Sequence, residues 1–149
     1  AWESNRTSEG YALIAEDSAY IRKVLLDVLK SSKFSKNIKA FYNGLELITS
    51  YSKLIAEGAA VDIAVIDLNM PIMDGLTAAR SIRSIETRGK VSAVPIVFFS
   101  SVKADDFLKK QMELLSPASY MNKGADDHPE RLAERVEQLV SYLIEKYKK

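Results

Sequence analysis

Short apolar runs alternate along this chain with longer segments whose apolar residues recur at helical spacing, and that alternation leaves few folds open. Tyr11 to Ala15 runs apolar into Glu16-Asp17. After Ser18 come Ile21, Val24, Leu25, Val28 and Leu29, the i, i+3, i+4, i+7, i+8 pattern of one helix face. Ser18 suits the N-cap, because its hydroxyl can accept from a free first-turn N–H. Ile38 to Phe41 makes a weaker second strand, and Asn43-Gly44 turns the chain into a helix carrying Leu47, Ile48, Tyr51, Leu54 and Ile55, stopping near Gly58. Val61 to Ile66 is the third run, followed by a helix from Leu76 to about Ile85. Pro95 to Phe99 is the fourth, opened by a proline that needs no strand hydrogen bond there. Phe107, Leu108, Met112 and Leu115 outline a fourth helix, and Ala118 to Met121 a fifth strand. The last helix opens near His128-Pro129 and carries Leu132, Val136, Leu139, Val140, Leu143 and Tyr147 on one stripe.

Runs that are apolar on both faces need cover on both sides. Repeated βα units supply it, so the expected fold is α/β: a doubly wound, five-stranded parallel sheet with helices on both faces. In such sheets ligands bind outside the carboxyl ends of the strands. The polar residues at those ends are Glu16, Asp17, Asp67, Ser100 and Lys123.

Composition narrows the function classes. With 149 residues, 47% of them apolar, the chain has enough length for one domain with a sizeable core. The balance of 21 Lys and Arg against 20 Asp and Glu argues against nucleic acid or a membrane surface as partner. The absence of cysteine removes disulfides, thiol catalysis and Cys-ligated zinc, and suits a cytoplasmic, reducing setting. Residues 1–9 are polar apart from Trp2 and read as a linker or expression remnant, with the domain at 10–149. The start at Ala1 without Met favours a piece of something longer.

The run VIDLNMPIMDGL holds the chemistry. Asp67 ends a buried strand, where a charge is costly unless paired, metal-bound or functional. Glu16, Asp17 and Asp67 on one rim would repel each other, and at least one pKa would rise. A hard divalent cation resolves the conflict; Mg²⁺ takes few carboxylates and keeps several waters. Lys123 adds a positive charge and Ser100 a hydroxyl. Together these are the parts that hold a phosphoryl group, with Asp67 as the nucleophile forming an acyl phosphate.

The chain resembles the receiver domains of two-component response regulators, with the closest likeness to the single-domain chemotaxis type. The likeness spans about Gly10 to Tyr147 and rests on AEDS, DLNMPIMDG, PIVFFSS and SYMNKG, in order and each at a strand end. It implies a flavodoxin-like strand order and phosphoryl transfer to Asp67 from a sensor histidine kinase or histidine phosphotransfer protein. It implies Mg²⁺ held by Glu16, Asp17, Asp67 and the carbonyl of Asn69, with Ser100 and Lys123 on the phosphoryl oxygens. Ser100 and Tyr120 would form the switch, read out by a downstream protein or domain at helix 4, strand 5 and helix 5. The only catalysis implied is self-phosphorylation and slow self-dephosphorylation.

Three positions depart from the family pattern: Gly124 replaces the proline after the lysine, Glu16 the commoner aspartate and Ser100 the commoner threonine. Ser101 competes with Ser100 in register. Tyr120 reads equally as a packing aromatic, His128 as a surface or capping residue, and Lys146, Lys148 and Lys149 as a solvated end. The outer edge of the last helix offers room for a weak homodimer. Two other functions fit less well. A constitutive protein-binding pseudo-receiver would not need the full constellation. An aspartyl-phosphate phosphatase needs a second acid two residues after the nucleophile, where Asn69 stands.

Overall fold

Ten elements alternate without exception in the computed structural model, which describes residues 10–124 and 129–147. The expectations for residues 1–9, His128, Lys148 and Lys149 lie outside the described residues. The elements are β1 (Tyr11–Ala15), α1 (Ala19–Ser32), β2 (Asn37–Phe41), α2 (Gly44–Ala56), β3 (Val61–Ile66), α3 (Gly75–Gly89), β4 (Ile96–Ser100), α4 (Asp106–Leu114), β5 (Ala118–Asn122) and α5 (Pro129–Tyr147). All pairings are parallel and the sheet order is β2-β1-β3-β4-β5. The order reverses between β1 and β3, which places a crevice at their carboxyl ends. This is the doubly wound fold expected from the alternation.

Strand side chains alternate between two apolar layers. Leu13, Ala15, Ala64, Ile66, Ile96 and Phe98 pack with Leu47, Tyr51, Leu54 and Ile82 of α2 and α3. Ala12, Ile14, Ile63, Val65, Val97 and Phe99 pack with Leu25 and Leu29 of α1 and Val136, Leu139 and Leu143 of α5. Each fully buried large side chain contributes about 1.5–3 kcal/mol. Strands β1, β3 and β4 are thus clamped from both faces.

Helix starts are capped by side chains. Ser18 Oγ accepts from the Ile21 N–H at 3.3 Å, Asn43 Oδ1 from Glu46 at 2.8 Å, Asp74 Oδ1 from Thr77 at 2.8 Å and Asp105 Oδ1 from Leu108 at 2.8 Å. Asn43 therefore caps α2 where a turn was expected. Helix α3 continues a turn past Ile85, because Glu86 is buried and accepts from Tyr51 Oη at 2.7 Å, the Val94 N–H at 2.7 Å and Arg83 Nη1 at 2.8 Å. Gly75 lets α3 start directly behind Asp67: a Cβ there would collide with the Asp67 carbonyl oxygen. Among the described residues, no helix is long and apolar enough to cross a membrane.

Candidate functional site at the carboxyl edge of the sheet

The pairings of β1 with β3 and with β2 each run one step beyond the strands and carry the acidic residues with them. The Asp67 N–H donates to Ala15 O at 2.9 Å, and the Glu16 N–H donates to Phe41 O at 2.9 Å. Carboxylate oxygens of Glu16, Asp17 and Asp67 lie within 4.8 Å of one another. Glu16 and Asp67 are buried, while Asp17 is exposed. An all-oxygen, all-carboxylate donor set of this size fits a hard divalent cation.

Lys123 leans into the same rim. Its Nζ lies 2.8 Å from Glu16 Oε1 and 3.2 Å from Asp67 Oδ2. Glu16 Oε2 also accepts from the Ser18 N–H at 3.0 Å, and Asp67 Oδ1 from the Asn69 N–H at 3.3 Å. Burial pushes the Glu16 carboxyl up to about 7, helped by the Asp67 charge and opposed by the Lys123 and Ser18 hydrogen bonds. Burial works against the Lys123 charge as well, but the hydrogen bonds and charges of Glu16 and Asp67 outweigh it and raise its pKa.

Ser100 is the last residue of β4 and is fully buried, whereas Ser101 is exposed. The Ser100 carbonyl oxygen accepts from the Lys123 N–H at 2.9 Å and from Tyr120 Oη at 3.3 Å. Its hydroxyl accepts from the Val102 N–H at 3.3 Å. The half-buried Tyr120 hydroxyl also accepts from Asn122 Nδ2 at 3.2 Å, and burial raises its pKa. The Lys123–Gly124 peptide is trans, with Gly124 at φ +80° and its N–H donating to Asn122 Oδ1 at 2.6 Å. That left-handed glycine replaces the usual proline path and still leaves the Lys123 side chain on both carboxylates. The structure therefore brings Glu16, Asp17, Asp67, Asn69 and Lys123 into direct or near contact, with Ser100 and Tyr120 joined to Lys123 through one carbonyl.

Comparison with known proteins agrees with this architecture. Residues 12–137 match the family described as the response regulator receiver domain. The chain belongs to that family. A curated relative of this receiver domain, a protein-glutamate methylesterase/protein-glutamine glutaminase from Methanococcoides burtonii, is 37% identical over 90 residues. The match covers 60% of this chain and 22% of that relative, so the matched segment spans under a quarter of the relative's length. Among solved structures, the response regulator domain of Thermotoga maritima CheB superposes with a TM-score of 0.71 at 19% identity, covering 93% of this chain and 96% of that one. The receiver domain of the histidine kinase CKI1 from Arabidopsis thaliana, complexed with Mg²⁺, gives a TM-score of 0.71 at 21% identity, covering 91% and 90%. At these identities the two structures speak for the fold.

One participant was missed in the sequence. Arg22, from α1, donates through Nη1 to the carbonyl oxygens of Glu16 at 2.8 Å and Asp17 at 3.4 Å. The available signal was its place one turn into the helix that follows the acidic pair.

Proposed function

We propose that Asp67 is the phosphoacceptor of this receiver domain and that a histidine kinase or histidine phosphotransfer protein supplies the phosphoryl group. The observation that carries this reading is the setting of Asp67: a buried carboxylate at a strand end, 3.2 Å from Lys123 Nζ and beside two further carboxylates. An Asp67 oxygen forms the new P–O bond as the P–N bond of the phosphoimidazole breaks and the imidazole leaves. Lys123, already on Asp67, follows the charge onto the phosphoryl oxygens, and the Ser100 hydroxyl gives them a further donor. Glu16, Asp17, Asp67 and the Asn69 carbonyl would hold Mg²⁺, which when bound offsets charge on the transferring group.

The resulting acyl phosphate carries a charge of about −1.5 to −2 where a single carboxylate charge stood. Such a change biases a pre-existing equilibrium between two arrangements. Tyr120 suits the moving part because its hydroxyl is anchored to Ser100, the residue the phosphoryl group would draw inward. The surface of α4, β5 and α5 would report the change to an output partner. By likeness to the curated relatives, a methylesterase domain is the output we favour, and the cytoplasm the compartment.

Incubation with acetyl phosphate, followed by intact-mass measurement, tests the reading. A phosphoryl adduct that requires Mg²⁺ and disappears in Asp67→Asn is expected. An adduct of equal yield in Asp67→Asn would overturn it.

A further inference from the structure

Arg22 points to how the acidic rim is set. Its side chain is half-buried, and its guanidinium addresses two successive backbone carbonyls, those of Glu16 and Asp17. Among the described residues it makes no ion pair with a carboxylate, although three stand on the neighbouring rim. That use is unusual for a planar fork of donors that matches carboxylates so well.

The three carboxylates are held unequally. Glu16 has Lys123 and the Ser18 N–H, and Asp67 has Lys123 and the Asn69 N–H. Among the described residues, no side-chain hydrogen bond or ion pair holds the exposed Asp17 carboxylate. The placement of its Cα and Cβ is set by the backbone. At this corner, between the end of β1 and the first turn of α1, the carbonyls of Glu16 and Asp17 would otherwise turn to water. Arg22 anchors both.

We propose that Arg22 is a positioning residue, clamping the β1–α1 corner so that the Asp17 carboxylate stands ready beside Glu16 and Asp67 for a divalent cation. This rests on the reading of the acidic rim as a Mg²⁺ site. Two effects of Arg22 on a cation have opposite sign. As a nearby positive charge it repels the ion, but its half-exposed position lets solvent and salt screen that repulsion. As a clamp it removes the disorder that binding would otherwise have to overcome. Partners that orient ligands in this way are worth roughly tenfold or more in metal affinity, so the clamp dominates.

The test is isothermal titration of the full chain with Mg²⁺ alone, for wild type, Asp17→Asn, Arg22→Met and Arg22→Lys, with a thermal melt of each. Acetyl phosphate labelling rates are then measured over a Mg²⁺ series. Wild type is expected to bind Mg²⁺ and Asp17→Asn to lose most of that affinity. Arg22→Met should raise the dissociation constant roughly tenfold. At saturating Mg²⁺ its labelling rate should return to near the wild-type value. Arg22→Lys keeps the charge on a shorter side chain without the planar head, and should fall between the two. It also decides the matter if Arg22→Met does not fold. Tighter Mg²⁺ binding by Arg22→Met would show Arg22 to be only a repelling charge, and an unchanged constant with a lowered melting temperature would show it to be only packing. Either result overturns the assignment while leaving the metal site standing. A wild type that binds no Mg²⁺ overturns the site and the Arg22 role together.

Discussion

Lys123 Nζ lies 2.8 Å from Glu16 Oε1, so the ends of the first and last strands are joined by an ion pair across the acidic rim. The same ammonium contacts Asp67 at 3.2 Å. Without a metal, one lysine therefore offsets the charge of two buried carboxylates, and removing it should expose that dependence. Lys123→Met is predicted to lose about 3–5 kcal/mol of stability, the range for leaving a buried charge unpaired. Mg²⁺ should restore more stability to the variant than it adds to wild type. Urea denaturation with and without Mg²⁺ measures both.

Glu16 gives the rim a pH response. Its carboxyl is raised from 4.5 to about 7 in the folded chain, chiefly by burial. Folding thus favours the protonated form. The contribution to stability is complete below about 4.5 and lost as pH rises through about 7. In Mg²⁺-free buffer, the melting temperature of wild type should fall more steeply than that of Glu16→Gln between about pH 4.5 and 7, the span between the ordinary and the raised carboxyl. Equal slopes would contradict the burial of an ionisable group there.

Ile72, at the tip of the β3–α3 loop, is β-branched, 71% exposed and held at φ 70°. A left-handed conformation costs such a residue roughly 1–2 kcal/mol, and little burial is gained in return. Ile72→Gly should raise the unfolding free energy by about 0.5–1 kcal/mol once glycine's extra freedom in the unfolded chain is counted. Ile72→Val retains the branch and should show no gain.

At the opposite edge of the sheet, Glu86 ties α2, α3 and the segment before β4 together through Tyr51, Arg83 and the Val94 N–H. Glu86→Ala would leave the Tyr51 hydroxyl and the Val94 N–H buried without partners, at about 1–3 kcal/mol each. A lower urea midpoint with unchanged Mg²⁺ affinity is expected, since this cluster lies away from the rim.

The fold was legible because its signal is repeated. Val61 to Ile66 matches β3 to the residue, and the helical stripes of Ile21 to Leu29 and Leu132 to Leu143 face the core as their spacing implied. Boundaries slipped where polar residues do the work of apolar ones. The spacing stopped at Ile85, and the continuation of α3 is held by Glu86, a carboxylate whose partners lie 35 residues back and 8 ahead. Strand β4 proved one residue later than Pro95 to Phe99, which brings Ser100 into the sheet. Which residues meet at the candidate site was legible, and the contacts between them were not. Strand ends located Glu16, Asp67 and Lys123, but the Lys123–Glu16 pair spans 107 residues and depends on the strand order. Arg22 was invisible because its partners are carbonyl oxygens, which the identities of the residues do not reveal.

The most direct test of the central claim is to locate the phosphoryl group chemically. The chain would be labelled with acetyl phosphate and Mg²⁺, then treated with borohydride, which reduces an aspartyl phosphate to homoserine, and its peptides sequenced by mass spectrometry. The account predicts homoserine at position 67 alone, and none when Mg²⁺ is withheld. Reduction at Glu16 or Asp17, or spread among surface carboxylates with Asp67 intact, would contradict it.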